Sequence, residues 1–451
     1  MKRLIFAVAV VLVAIAAAPL VTGLVMERTL SQVGPFPGTR GTLSLEVTDY
    51  QRGYLESHAE SALLLRLPER EPLRLTLTHR IDHWPGLDGR YATVHTRWEP
   101  ADSASRATLA ELFGDGADLT LSTALYPTGG SRTTGRVPAI EREGMEFTGA
   151  DLVLETSTDG GFDYRFETDR FALDDQAVGV DPGTRLTTQG LRLAASGQVA
   201  DDGFVWDGQG RLSLDRLQVV EADRRSSAED LSLAFESARE GDLFRFAVDY
   251  QAGAATVDDE SLTDARLRVA IERLDAEAVR TVIQRLEEIR EHAPQTSRAA
   301  QRADIEGAVG RVMQEALPAL LSRGPRISID PLKATTPEGD AEMAVSVELP
   351  ADVIKGEPNP MMWMALVSAM AVEGRLTMPL ALLEKQVAAQ GDPGRAGDIK
   401  AQLAPLVEQG WVTVEDGVVK TTLDFRQGNL ELNGTPANQL LNMALGATTG
   451  Q

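Results

Sequence analysis

Phe244-Arg245-Phe246-Ala247-Val248-Asp249-Tyr250 alternates large apolar residues with charged or small ones, and this period of two decides the fold. Successive side chains of a strand point to opposite faces, so the segment buries one face and wets the other, as antiparallel sheets do. The period extends outward on both sides. Leu231, Leu233 and Phe235 precede the segment, and Leu267, Val269 and Ile271 follow it. Far upstream, Leu43, Leu45 and Val47 alternate with Ser44 and Glu46, and Leu73, Leu75 and Leu77 with Arg74 and Thr76. From Thr42 to about Ile271 the chain reads as one long antiparallel meander, interrupted only by a candidate helix at Ala104–Phe113. Turns are expected at Asp88-Gly89, Asp115-Gly116, Asp159-Gly160-Gly161, Asp202-Gly203 and Asp207-Gly208.

A weak repeat runs through the meander. Leu152, Leu191, Leu231 and Leu267 each open a Leu-x-Leu/Val pattern, at spacings of 39, 40 and 36 residues. Two readings stand side by side: a sheet lengthened by duplication, or the ordinary spacing of any meander.

Beyond Asp275 the period changes. Val279, Val282, Ile283, Leu286 and Ile289 form one stripe of a helix capped by Asp275, and a second helix is expected from about Ala303 to Ser322. Its inward residues are Ile305, Val309, Val312, Met313, Leu317 and Leu320, and Gly324-Pro325 ends it. The polar link Ala293–Arg302 makes the two an αα-hairpin. Strands resume at Ile327 and Ile329 and again at Met343–Leu349. A linker at Pro350–Pro360, an apolar helix at Met361–Met370 and helices at Leu380–Gln390 and from Asp392 to Gln409 follow. Closing strands at Trp411–Glu415, Val418–Phe425 and Asn429–Asn433 turn at Asp416-Gly417 and Gln427-Gly428. The fold class is mainly β with α additions: an extended antiparallel sheet forming a curved sheet, trough or sandwich. It divides as 1–26, membrane anchor or signal; 27–274, extended sheet; 275–324, αα-hairpin; and 325–451, an α+β region completing the sheet.

Leu4–Met26 is uncharged and sits behind Lys2 and Arg3. Roughly 20 apolar residues cross a bilayer, and flanking basic residues stay cytoplasmic. The expectation is an uncleaved inner-membrane anchor with the bulk of the chain in the periplasm. The alternative is a signal peptide cleaved after Ala14-Ile15-Ala16, leaving a soluble periplasmic protein.

Composition excludes several function classes. Lys and Arg number 44 against 67 Asp and Glu, a net charge of −23, so nucleic acid is not an expected partner. An anionic membrane surface would also repel the bulk of the chain. There is no Cys, which removes thiol catalysis, thiolate metal sites and lipoprotein acylation together.

Residues that could carry chemistry do not form a pattern. Of the five histidines (His58, His79, His83, His95 and His292), His79 and His83 are four apart. On a strand, positions four apart share a face about 13 Å from each other, too far for one metal ion. Ser131 lacks the second Gly of a nucleophile elbow. The glycine pairs Gly114/Gly116 and Gly208/Gly210 lack the continuation of a phosphate loop. Acidic pairs such as Asp174-Asp175 and Asp258-Asp259 read as solvated surface. Tyr50-Gln51-Arg52-Gly53-Tyr54 reads as a turn in which Gly53 takes a positive φ and Arg52 bonds nearby carbonyls; a recognition spot is the competing reading. No catalytic, metal or cofactor-binding residue is assigned, no cofactor is expected, and ligand-binding residues and oligomeric state stay open.

The order of landmarks carries a resemblance. Tyr50-Gln51-Arg52-Gly53 with Ser57 is followed by His83-Trp84-Pro85-Gly86 and then by the αα-hairpin. Pro325-Arg326-Ile327-Ser328-Ile329 leads to Thr336-Pro337-Glu338-Gly339, and the chain closes with Gly410-Trp411-Val412 and Gly428-Asn429-Leu430-Glu431-Leu432-Asn433-Gly434. In that order these resemble the YdgA-like family of bacterial envelope proteins, although that family often has His-Gly-Pro where His83-Trp84-Pro85 stands. The resemblance implies an inner-membrane or periplasmic protein of unassigned function and brings no catalytic residues. The expected function is non-catalytic, sheltering lipid or an envelope partner on an extended β-surface. The alternative is a structural or adaptor protein with a filled core, and an envelope hydrolase stands third. An open groove floored by Leu43, Leu75, Leu121, Leu154 and Leu193 would favour lipid; a closed sandwich would not.

Overall fold

A computed structural model describes residues 43–440 apart from 66–71, 87, 114–119, 177–181, 201–203, 223, 259, 293–297, 352–365, 367 and 390–398. The anchor segment Leu4–Met26 lies outside the described residues. Among the described residues no helix is long and apolar enough to cross a membrane. The chain divides into two compact units, Met1–Leu212 and Ser213–Gln451.

The first unit is an antiparallel sheet. Its strands are β1 (Leu43–Gln51), β2 (Glu56–Leu65), β3 (Leu73–Asp82), β4 (Ala92–Pro100), β5 (Thr120–Leu125), β6 (Ser131–Val137), β7 (Ile140–Arg142), β8 (Met145–Phe147), β9 (Ala150–Thr156), β10 (Gly161–Leu173) and β11 (Thr184–Val199). They pair in the order β1-β2-β3-β4-β5-β6-β9-β10-β11, with β7 and β8 a small hairpin whose β8 edge joins β10. Between β4 and β5 the helix α1 (Ser103–Phe113) forms where Ala104–Phe113 was expected. Asp102 caps it, its Oδ1 accepting the Ser105 N–H at 2.6 Å, which holds the Asp102 carboxyl below its usual range. Leu109 of α1 packs on the cluster Leu63, Leu73, Leu75 and Leu77, so this end of the apolar face is covered.

β12 (Val205–Glu221) crosses the boundary between the units. The expected turn at Asp207-Gly208 is absent, because both residues lie inside this strand. The chain has already reversed at Ala200, whose N–H bonds the Phe204 carbonyl at 2.8 Å, and three residues leave no room to reverse again.

The second unit continues the meander with β13 (Arg224–Glu240), β14 (Leu243–Val257) and β15 (Glu260–Asp275). Next come α2 (Ala276–His292), α3 (Arg298–Leu320), β16 (Arg326–Thr336), β17 (Gly339–Glu348), β18 (Ala371–Pro379), α4 (Leu380–Ala389) and α5 (Ile399–Glu408). The closing strands are β19 (Thr413–Glu415), β20 (Val418–Arg426), β21 (Asn429–Leu432) and β22 (Thr435–Pro436). The sheet order is β13-β14-β15-β16-β17-β18-β20-β21-β22, with β19 paired to β20. The Leu-x-Leu/Val repeat falls on β9, β11, β13 and β15, every second strand, so its period is one hairpin.

Asp275 caps α2 as expected, accepting the Ala278 N–H at 3.0 Å. Val279 and Val282 are buried, and Arg285 of α2 pairs with Glu315 of α3 at 2.6 Å, closing the αα-hairpin. Met313, expected inward, is exposed: Val312 takes the buried stripe and its neighbour falls on the flank of the helix. Met361–Met370 lies mostly outside the described residues, as does the start of the helix that ends at Glu408. Asp416-Gly417 and Gln427-Gly428 have φ of 51° and 75°, and of 52° and 77°, so both are hairpin turns with the two central residues left-handed.

Candidate functional site

Directly paired residues of an antiparallel sheet share a face, so the register of the second unit defines its surfaces. One row runs Phe235, Val248, Val269, Ile329, Val345, Gly374, Leu423 and Leu432 from β13 to β21. The row beside it runs Phe246, Ile271, Ile327, Val347, Val372, Phe425 and Leu430, and a third runs Leu233, Tyr250, Leu267, Leu332, Met343 and Leu376. None of these positions is charged. A globular protein would cover such a face, yet Phe235, Phe246, Tyr250, Ile327 and Leu332 remain 37–48% exposed. Eight strands at ~4.8 Å and three rows at ~6.8 Å give a footprint of about 34 by 14 Å. Contiguous apolar surface beyond a few hundred Å² marks an interaction site rather than chance.

The opposite face is locked by ion pairs. Arg266 holds Asp249 at 2.6 Å, Arg268 holds Glu236 at 2.7 Å, and Arg375 bridges Asp330 and Glu342 at 2.8 and 3.2 Å. Burial pushes the Asp249 carboxyl up, but hydrogen bonds from Arg266 and Gln251 outweigh it and hold its pKa below the usual range. Long arginine stems and small residues such as Ala247 and Ala344 complete this face. The sheet is amphipathic: among the described residues its apolar side is covered at Phe425 and at Val347, which packs on Leu349 and Leu366, and exposed at Phe235, Phe246, Tyr250, Ile327 and Leu332.

In the first unit, Leu75 lies in the core beneath α1, while Leu121, Leu154 and Leu193 are half-buried farther along the same face. The other face carries a groove of about 720 Å³. Its walls are two rows of outward side chains, His58, Arg80, His95, Ser122 and Thr134 on one side and Glu60, Thr78, Arg97, Thr120, Arg136 and Asp151 on the other. The backbone of the row between them forms the floor.

Three of the five histidines sit at this groove, and two turn to serines on β2. His79 and His83 do share a face, but each has its own partner. His79 Nε2 bonds Ser61 Oγ at 2.9 Å and its Nδ1 bonds Thr96 Oγ1 at 2.8 Å; His83 Nε2 bonds Ser57 Oγ at 2.7 Å. Burial pushes the pKa of both imidazoles down, and at His83 the nearby Asp82 charge opposes this in part. Ser57 and His83 have no solvent exposure, and His83 Nδ1 has no hydrogen-bond partner among the described residues. The hydroxyl cannot reach a substrate, and no acceptor orients the imidazole as a general base requires. On the polar face, His58 pairs with Glu56 at 3.1 Å and His95 with Asp82 at 3.3 Å. His292 is the last residue of α2.

The remaining candidates serve turns and ladders. Ser131 Oγ bonds Thr156 Oγ1 across the sheet at 2.8 Å. Asp174 and Asp175 accept the N–H groups of Gln176 and Gly183. Gly53 does not take a positive φ, which corrects the expectation for that turn. It is required for space: a Cβ there would stand 1.9 Å from the Glu56 carbonyl oxygen, and its N–H bonds Ser57 Oγ at 3.1 Å. Sequence reading missed the serines of β2 as histidine partners; their alternation with Glu56, His58 and Glu60 was the available signal.

A family model described as "Bacterial protein of unknown function (DUF945)" matches residues 1–439. No curated protein and no solved structure matches the chain.

Proposed function

The chain belongs to this bacterial family of unknown function, a result compatible with the YdgA-like resemblance, and on that premise we propose a non-catalytic envelope protein that shelters lipid acyl chains on its open β-face. Leu4–Met26 tethers it to the inner membrane, and the described units lie in the periplasm. The observation that supports this reading is the apolar face of the second unit, where Phe235 on β13, Phe246 and Tyr250 on β14, and Ile327 and Leu332 on β16 are exposed among the described residues. Covering five such side chains recovers on the order of 5 kcal/mol of apolar transfer energy. Acyl chains match this surface better than a folded partner with a polar rim, because no charged residue interrupts the three rows.

The test is native mass spectrometry of the full-length chain with lipid extraction of the same sample. Co-purifying phospholipid is expected, and its amount should fall when Phe246 and Ile327 are both replaced by Glu. Recovery of no lipid from the wild-type chain would sink the reading in favour of an adaptor role.

A further inference from the structure

The groove on the polar face of the first unit contains one arginine unlike the others. Arg80 and Arg136 already hold carboxylates, Asp82 at 3.3 Å and Asp151 at 2.8 Å. Arg97 is exposed in the middle of the groove and makes no ion pair with any described residue. The groove lining holds three guanidinium groups, Arg80, Arg97 and Arg136, against two carboxylates, Glu60 and Asp151, so it is locally positive although the chain carries a net charge of −23. The cross-strand neighbours of Arg97 are Thr78 on β3 and Thr120 on β5, one hydroxyl on each side at strand spacing.

This set fits one chemistry. A guanidinium presents a planar fork of donors that matches two oxygens of a phosphoryl group, and flanking hydroxyls donate to a third. A metal ion fits less well: among the described residues no group of three or more His, Asp or Glu is placed to hold one. We propose that the groove binds a phosphate-bearing anion, with Arg97 as the bidentate anchor and Thr78 and Thr120 as hydroxyl donors. The phosphoryl group comes from a soluble phosphate ester or from a lipid headgroup. The proposal does not depend on the apolar face of the second unit.

Two arms separate the sources. The full-length chain is titrated with inorganic phosphate by calorimetry, and separately with phosphatidylcholine vesicles with and without phosphatidylglycerol. Arg97→Gln should weaken binding by about tenfold or more, the loss of a charge-assisted hydrogen-bonded contact. Arg97→Lys, which keeps the charge and loses the fork, should recover only part of it. Arg132→Gln, whose native partner Glu155 lies at 3.3 Å outside this groove, should bind like wild type. Thr120→Val is a second test of the site. Binding in the phosphate arm alone assigns a soluble ester, and binding in the phosphatidylglycerol arm alone assigns a headgroup. No binding in either arm, or equal losses in Arg97→Gln and Arg132→Gln, overturns the proposal.

Discussion

Ser57 Oγ lies 2.7 Å from His83 Nε2, with neither side chain exposed to solvent. The same serine oxygen accepts the Gly53 N–H, and the His83 N–H bonds the Leu55 carbonyl at 2.8 Å. The pair therefore ties the β1–β2 loop to the end of β3. Ser57→Ala would leave the imidazole with no side-chain partner on either nitrogen, a cost of about 1–3 kcal/mol. Denaturant unfolding should show that loss, while lipid recovered with the protein stays unchanged. An unaltered unfolding midpoint would mean the loop is held by its backbone bonds alone.

Gly53→Ala tests the same loop by crowding. The new Cβ meets a backbone oxygen, which cannot rotate away as a side chain can, so a cost of about 1–3 kcal/mol or more is expected. Gly89 provides the contrast, with φ of 87° and nothing within 4 Å of its Cβ position. Gly89→Ala carries only the left-handed penalty of about 1–2 kcal/mol. Equal or smaller destabilisation in Gly53→Ala, measured by the same denaturant titration, would show that the loop shifts freely.

Much of this fold was legible because its signals are local. A period of two reports strands whatever lies above them, Asp275 announced α2, and Asp416-Gly417 and Gln427-Gly428 form the hairpin turns their residues favour. Asp207-Gly208 failed because a turn dipeptide acts only where the chain has not just reversed. Met313 failed because a helical stripe drifts, so residues at its edge fall on either side. The state of each sheet face was not legible at all. Leu75 beneath α1 and Phe246 in the open obey the same alternation, since periodicity records which face is apolar and nothing about what covers it.

The αα-hairpin supplies a prediction about packing. Val282 is buried on α2, whereas Met313 on α3 is exposed. Val282→Asp places a carboxylate without a partner in an apolar contact and should cost several kcal/mol, of the order of 3. Met313→Asp should stay within about 0.5 kcal/mol of wild type. Calorimetric melts of both variants decide the matter: similar melting temperatures would show that the α2 stripe is not packed in solution.

His79 and His83 make stability depend on pH. Burial lowers both pKa values below the ordinary 6.5, so in mildly acidic solution the unfolded chain binds more protons than the folded one. Their contribution to stability is intact above about pH 6.5. It is lost as pH falls from there toward the depressed folded values, each histidine adding a slope of at most about 1.4 kcal/mol per pH unit. Melts between pH 7.5 and 5 should steepen accordingly, and a His79→Gln/His83→Gln double variant should flatten the profile. A profile unchanged by the double substitution would place the titration elsewhere.

The open face allows stability and binding to be separated. Phe246 and Ile327 are 37% and 39% exposed and lie in one row with Ile271 between them, so a carboxylate at either site reaches water without breaking the core. Phe246→Glu and Ile327→Glu should each cost about 1 kcal/mol or less in unfolding free energy, because much of each side chain gains nothing from burial in the free protein. The same changes should remove most bound lipid, since an acyl chain lying across the strands would have to desolvate a charge. Leu154→Glu and Leu193→Glu, half-buried in the first unit, should lower stability more. Leu75→Glu, in the α1 core, should be the most damaging of the set. Unfolding titrations and lipid quantification on the same five samples provide both readouts. Loss of stability in Phe246→Glu equal to that in Leu75→Glu would mean the face is covered in solution, and retained lipid in the folded Phe246→Glu/Ile327→Glu double variant would move the lipid site elsewhere.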